Sequence, residues 1–233
     1  MRRLAALALA CLAWTPATAE PVDLALVLAN DGSASIDAGE YALQMRGMAR
    51  AFRDPAVIAA IERLGPGGVA VALLQWAGEE DAALALGWQV LRGAADAERL
   101  AARLEATPRA VAPGATALGD ALAVALSVHL TAPFEARRRV IDVCGDGRPN
   151  VGQTPRPWRD AAAGQGIAIN ALAIVNQDPG LAGFYAEQII AGPGAFVEAA
   201  ADFEDFARAF RRKLLRELGA GAVAWKEETT WVR

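Results

Sequence analysis

One histidine and two cysteines are all that this chain of 233 residues offers to a metal that prefers nitrogen or sulfur. His129, Cys11 and Cys144 cannot assemble a Cys- or His-rich zinc centre, a disulfide framework or an iron–sulfur cluster. Metal chemistry, if present, has to use oxygen ligands. A basic excess is lacking too: 23 Lys and Arg stand against 27 Asp and Glu, a formal charge of −4, which argues against nucleic acid as a partner. The only lysines are Lys213 and Lys226, both late in the chain. No segment reaches the ~18 uninterrupted apolar residues of a bilayer-spanning helix, so no stable membrane insertion is expected. What the chain does have is 54% hydrophobic residues, enough to bury a large core and to exclude intrinsic disorder. The length suits one compact domain, or at most two.

Residues 1–19 read as an export signal. Met1-Arg2-Arg3 is basic, Leu4 to Ala13 is an apolar run too short to cross a bilayer, and Ala17-Thr18-Ala19 is a small-x-small cleavage site. The spacing before Cys11 does not suit a lipoprotein, and Arg2-Arg3 leaves the export route open between the general and twin-arginine systems. Cleavage after Ala19 would place the mature chain in the periplasm or the medium with 21 basic and 27 acidic side chains, a net of −6. Its one thiol, Cys144, then has no intramolecular disulfide partner and is expected to be inert core.

From residue 20 to 218 short apolar runs alternate with amphipathic stretches, the pattern of βαβ units. The fold class expected is α/β: a single doubly wound, mostly parallel open sheet with one antiparallel edge strand and helices on both faces. A first strand over 24–28 stops at the polar loop Asn30-Asp31-Gly32-Ser33-Ala34-Ser35. Asp37 and Glu40 form a capping box before a helix that buries Tyr41, Met45, Met48 and Phe52. Asp54-Pro55 starts another helix, with Val57, Ile58, Ile61 and Leu64 on its apolar side. Strands over 69–74 and 84–90 are joined by the acidic turn Gly78-Glu79-Glu80-Asp81, short enough to require an antiparallel pair. Helices follow over 96–105 and 118–130, the latter with Leu118, Leu122 and Leu126 on one stripe. A strand over 139–144 runs into Gly145-Asp146-Gly147. The remaining expectations are a helix over 155–164, a strand over 167–175, a helix over 181–190 and a short edge strand over 195–197. A closing helix over 202–218 has Phe203, Phe206, Phe210 and Leu214 inward. Glu204 and Asp205 fall in its first turn, and Arg211, Arg212, Lys213 and Arg216 near its end, as the helix dipole favours. Residues 219–233, with Trp225 and Trp231, form a tail without periodicity.

Open α/β sheets bind ligands outside the carboxyl ends of their strands. Three loops fall there: Asp31 to Ser35 after the first strand, Gly114 to Asp120 at the head of the 118–130 helix, and Gly145 to Gly147 after the 139–144 strand. Each alone has an ordinary reading, as a helix cap, an N-cap threonine or a turn. Together they bring the carboxylates of Asp31 and Asp146 and the hydroxyls of Ser33, Ser35 and Thr116 to one crevice, a donor set suited to a hard divalent cation. Asp120 is better placed as a dipole partner of its helix, and Arg148 is the only evident cation nearby. His129 reads as a packed histidine, Arg137-Arg138-Arg139 as a solvated approach to a strand. Trp76 and Trp158 are placed in loops near the crevice, as anchors for a partner or as half-buried packing.

Asp31-x-Ser33-x-Ser35, a threonine heading a helix and an Asp-Gly after the next core strand resemble the metal-ion-dependent adhesion site of the von Willebrand factor A domain. The wider wording resembles DUF1194, an uncharacterised family of exported bacterial proteins with such a domain: Leu26 to Ser35, Ala51 to Pro55, Gln75-Trp76-Ala77-Gly78 and Arg138 to Gly147. The resemblance implies that Ser33, Ser35 and Thr116 coordinate Mg²⁺, or Mn²⁺ or Ca²⁺, through their hydroxyls. Asp31 and Asp146 would hold it directly or through water. It further implies an open position for an Asp or Glu carboxylate of a partner protein. Asn30 and Gly32 depart from the apolar residues often found around the first Asp, which would loosen the loop. The expected function is therefore an exported binding module. The alternative is a Mg²⁺-dependent hydrolase of phosphate or ester substrates, which would have to work without a lysine or histidine at the crevice.

Overall fold

A computed structural model describes residues 21–219. The expected leader with its cleavage site, and the tail beyond Gly219 with Trp225 and Trp231, lie outside the described residues. In chain order the elements are β1 (Val22–Asp31), α1 (Ala38–Arg53), α2 (Pro55–Leu64), β2 (Val69–Trp76), β3 (Ala82–Leu91), α3 (Ala94–Ala106) and α4 (Leu118–Leu130). They continue with β4 (Ala136–Gly145), α5 (Pro155–Gly164), β5 (Ile167–Ile174), α6 (Leu181–Gln188), β6 (Val197–Ala200) and α7 (Phe206–Glu217).

The six strands form one sheet in the order β3-β2-β1-β4-β5-β6. All neighbours are parallel except β3, which returns antiparallel beside β2 through the tight 77–81 turn. Because successive strand residues point to opposite faces and helices cover both, the central strands are apolar throughout. Leu24, Leu26 and Leu28 of β1 pack with Met45, Met48 and Phe52 of α1 and with Phe206 and Phe210 of α7. On the other face Val27 and Ala29 meet Leu118 and Leu122 of α4, Ala162 of α5 and Tyr185 of α6.

Local signals in the sequence act as expected at several helix starts. Asp37 accepts from the Glu40 N–H at 2.8 Å and the Glu40 carboxylate accepts from the Asp37 N–H at 2.8 Å, closing the capping box of α1. Asp54 caps α2 ahead of Pro55. Several boundaries differ by a few residues, three of them for a visible reason. β1 runs on to Asp31, because β2 and β4 flank it in register as far as Trp76 and Cys144. The edge strand lies at Val197–Ala200 rather than 195–197, because glycines at positive φ, Gly192 and Gly194, first carry the chain around a turn. α7 begins at Phe206 rather than at 202. Asp202 accepts from the Asp205 N–H and Asp205 from the Ala201 N–H, a side-chain-held turn that precedes the helix. Glu204 and Asp205 are thus outside its first turn.

A candidate metal site at the topological switch point

Strand order reverses between β1 and β4: the chain winds outward to β2 and β3 on one side and to β5 and β6 on the other. The loops leaving the carboxyl ends of β1 and β4 part at this point and open the crevice where such sheets take ligands. Asp31 ends β1, and Asp146 follows the last residue of β4.

Asp31 is fully buried, and its Oδ1 accepts the Ser33 N–H at 2.7 Å. Ser33 Oγ lies 3.2 Å from Ser35 Oγ, and Ser35 Oγ donates to Asp146 Oδ1 at 2.8 Å. A single run of short contacts thus joins Asp31, Ser33, Ser35 and Asp146 across two loops. Thr116 enters from the third loop. Its backbone is clamped by Asn150, whose Oδ1 accepts the Thr116 N–H at 2.9 Å and whose N–H donates to the Thr116 carbonyl at 3.0 Å. Ala117, not Thr116, occupies the N-cap of α4, and no side chain caps that helix. The Thr116 hydroxyl is therefore not engaged as a cap, and it faces Gly147, where a β-carbon would lie 3.9 Å from it. The Ala34 N–H donates to the Gly114 carbonyl at 2.7 Å and ties the first loop to the second.

Two carboxylate oxygens at the centre, Asp31 Oδ2 and Asp146 Oδ2, are buried without any hydrogen-bond donor. Buried carboxylates are normally paired, so this is a donor set short of a positive partner. Glycine keeps the space open: a β-carbon on Gly145 would stand 3.0 Å from Asp31 Oδ2 and 2.9 Å from the Tyr185 hydroxyl. Burial pushes the Asp31 carboxyl up to about 7, against the lowering effect of the Ser33 N–H and hydroxyl and with a further push from Asp146. Asp146 is raised by burial as well, and the Ser35 hydroxyl opposes the shift. Tyr185, which donates to the Gly147 carbonyl at 3.0 Å, is held far above the usual phenol range by burial and by both carboxylates. Two carboxylates and three hydroxyls fit a hard divalent cation. They form no group of three His, Cys, Asp or Glu, and none exists among the described residues.

Other expectations are redrawn by their surroundings. Gly32 does not loosen the first loop. Its N–H donates to the Trp76 carbonyl at 2.8 Å, and a β-carbon there would stand only 2.7 Å from Val111 Cγ2, so the glycine lets the 107–117 segment wedge against the strand end. Trp76 is the last residue of β2 and buried, not a loop anchor, and half-buried Trp158 sits in α5 and donates to Gln153 Oε1 at 3.1 Å. Asp120 accepts from Gln153 Nε2 at 2.7 Å and holds the 150–154 segment to α4. Arg148 turns to Asp178 at 2.7 Å and lies over the Phe184 ring. Arg109, missed in the sequence, lies over the Tyr41 ring and donates to the Ile36 carbonyl at 2.7 Å. His129 is buried, with Nε2 bonded to the Val140 carbonyl at 2.9 Å and its pKa pushed down to about 4, chiefly by burial. Val140 lies in the middle of β4, six residues before Asp146, which at about 3.3 Å per strand residue puts the carbonyl that holds the histidine about 20 Å along the chain from the crevice. Cys144 is buried and its thiol held protonated by burial. Tyr185, Asn150 and Val111 are supporting residues with no local signal in the sequence.

No curated protein sequence matches the chain. Among solved structures it is similar to proximal thread matrix protein 1 from the mussel byssus with a zinc-occupied MIDAS motif, at 18% identity and TM-score 0.58, covering 85% of this chain and 46% of that one. It is similar also to a von Willebrand factor type A protein from Catenulispora acidiphila, at 20% identity and TM-score 0.55, covering 87% of this chain and 44% of that one. A third likeness is to the von Willebrand factor domain of the type V pili tip protein Mfa5 from Porphyromonas gingivalis, at 12% identity and TM-score 0.57, covering 87% of this chain and 97% of that one. The chain spans less than half the length of the first two. These likenesses establish the fold, that of a von Willebrand factor type A domain. Residues 21–222 match the family described as a protein of unknown function, DUF1194, and the chain belongs to that family.

Proposed function

We propose that the mature chain is an exported binding module that holds a divalent cation at the switch-point crevice and uses it to bind an acidic group of a partner protein. The observation that carries this reading is the pair of buried, donorless oxygens on Asp31 and Asp146, linked through Ser33 and Ser35 and faced by the loop of Thr116. Ser33, Ser35 and Thr116 would ligate through their hydroxyls, and Asp31 and Asp146 directly or through water. A bound Mg²⁺, Mn²⁺ or Ca²⁺ would supply positive charge and an open position for an oxyanion. The zinc-occupied motif of the mussel protein supports a divalent ion in a site of this kind. The one histidine, held to the middle of β4 away from the crevice, and the engagement of Arg148 by Asp178 favour binding over turnover, since neither can move a proton at the crevice. The amino-terminal pattern of residues 1–19 supports export to the periplasm or medium.

Titration calorimetry of residues 20–233 with MgCl₂, MnCl₂ and CaCl₂ tests the reading. One-site binding is expected in the wild type and none in Asp31→Ala; equal heats in both proteins would overturn it. A pull-down from periplasmic extract with and without chelator then tests the partner. Bands that survive chelation argue against a metal-bridged contact.

A further inference from the structure

Away from the crevice, a second group of charges is buried between β4, β5 and α7. Lys213, on the inner side of α7, has a fully buried side chain. Its Nζ contacts Asp142 Oδ1 on β4 and lies 2.5 Å from Glu217 Oε1, one helical turn further on. Asn170 Nδ2 on β5 donates to the same Glu217 oxygen at 2.9 Å. Phe196 lies against the group, its ring centre 5.6 Å from Nζ, and the Asp142 Oδ2 and Glu217 Oε2 atoms are buried without donors. One ammonium therefore faces two carboxylates and can balance only one of them. Burial pushes Glu217 up to about 7, with Asp142 adding to the shift and Lys213 and Asn170 opposing it.

We propose that Lys213 and Asp142 condense into an intramolecular amide that joins α7 to β4, with Glu217 carrying the proton. Glu217 takes a proton from the Lys213 ammonium, and the freed amine attacks Asp142 Cγ to form the new C–N bond. The nitrogen's second proton and the one held by Glu217 pass to a carboxyl oxygen, the C–O bond breaks, and that oxygen leaves as water. The balance is one carboxylate and one ammonium giving one amide and one water, with Glu217 returned to its starting state and no oxidant or activating group required.

In bulk water this equilibrium lies toward the free groups. Here the reacting groups are buried and held in contact, and well-oriented intramolecular reactions reach effective concentrations of about 10⁵–10⁸ M. The amide also replaces two buried charges, whose desolvation an ion pair only partly offsets, by one neutral group. The released water has a way out, because Asn170 and Glu217 line a cleft of about 460 Å³ that opens to solvent beside Arg138 and Arg216.

The test is the mass of the denatured full-length mature protein, followed by peptide mapping. The wild type is expected to be lighter than its sequence by one water and to yield a branched peptide joining the segments around Asp142 and Lys213. An unmodified wild-type mass overturns the proposal. Lys213→Arg keeps the charge but is expected at full sequence mass. Loss of water in that variant would place the dehydration elsewhere, for example in cyclisation of an amino-terminal Glu20, and would also overturn it. Glu217→Gln, checked for folding by circular dichroism, is expected at full mass, and a cross-link formed at the wild-type level would remove Glu217 from the chemistry. The wild-type mass decides the bond itself even where a variant fails to fold.

Discussion

Two pairs of carboxylates are buried in this domain, and they are neutralised in opposite ways. Asp142 and Glu217 enclose an ammonium of the same chain, Lys213, with Asn170 completing the donors. Asp31 and Asp146 receive only neutral donors, the Ser33 N–H and the Ser35 hydroxyl, while the neighbouring cation Arg148 is drawn off by Asp178. The first pair shares one internal cation, which balances one of its two charges. The second has no cation in contact with it among the described residues, in a place that Gly145 keeps open, and this is what distinguishes it as the candidate site.

Substitutions should separate the two pairs by the sign of their effect. The largest is expected from Lys213→Met, which removes the side chain that the proposed amide needs and leaves Asp142 and Glu217 without a cation. Leaving buried carboxylates unpaired in this way costs about 3–5 kcal/mol, measurable as a lowered midpoint of urea unfolding. A loss below about 1 kcal/mol would mean that the lysine is dispensable and that the pairs are not different in kind. Next in size is the metal response. Mg²⁺ or Mn²⁺ at a hundred times its Kd should stabilise the wild type by about 2.7 kcal/mol, read as a rise in Tm. Asp31→Asn should abolish that rise. The same variant should be more stable than the metal-free wild type at pH 8, the reverse of what removing Lys213 does.

The pH profile of the metal-free wild type sharpens this. Asp31 is raised from 3.8 to about 7 in the folded state, so the folded protein holds this proton more tightly than the unfolded chain does. The resulting stability is fully present below about pH 4 and lost as pH rises through about 7. Unfolding curves across that window should slope downward in the wild type and flatten in Asp31→Asn, and a parallel pair of profiles would remove Asp31 as the cause. The smallest effect is expected from Ser35→Ala. Loss of one neutral oxygen should weaken metal binding by about tenfold by calorimetry, with the fold retained.

What the sequence made legible follows from how far each signal reaches along the chain. The bounds of α4 and α5 and the capping box of α1 are written in residues three or four apart, and they emerge as read. The candidate ligands were legible for a topological reason: polar loops that follow apolar strands must gather at one edge of a parallel sheet. Lys213 was misread as a dipole partner of α7, because nothing near it in the chain announces Asp142, which lies on another element. The start of α7 and the position of β6 were lost to turns made by Asp202, Asp205 and two glycines, whose short-range hydrogen bonds and positive φ override the apolar pattern. Trp76 looked like a loop residue because β2 continues two residues past its last aliphatic side chain.

The contact between Ser35 and Asp146 spans 111 positions of sequence, and it exists only where β4 lies beside β1. Between them the chain must complete a hairpin and four helices. Contacts of such long range close slowly, so the crevice belongs to the late stage of folding, and the candidate ligands are not gathered until β4 has docked. A cation at this place would act as a latch that only the finished domain can accept. It would slow escape from the native state without hastening arrival there, and its release would mark the first moment at which the two halves of the sheet come apart.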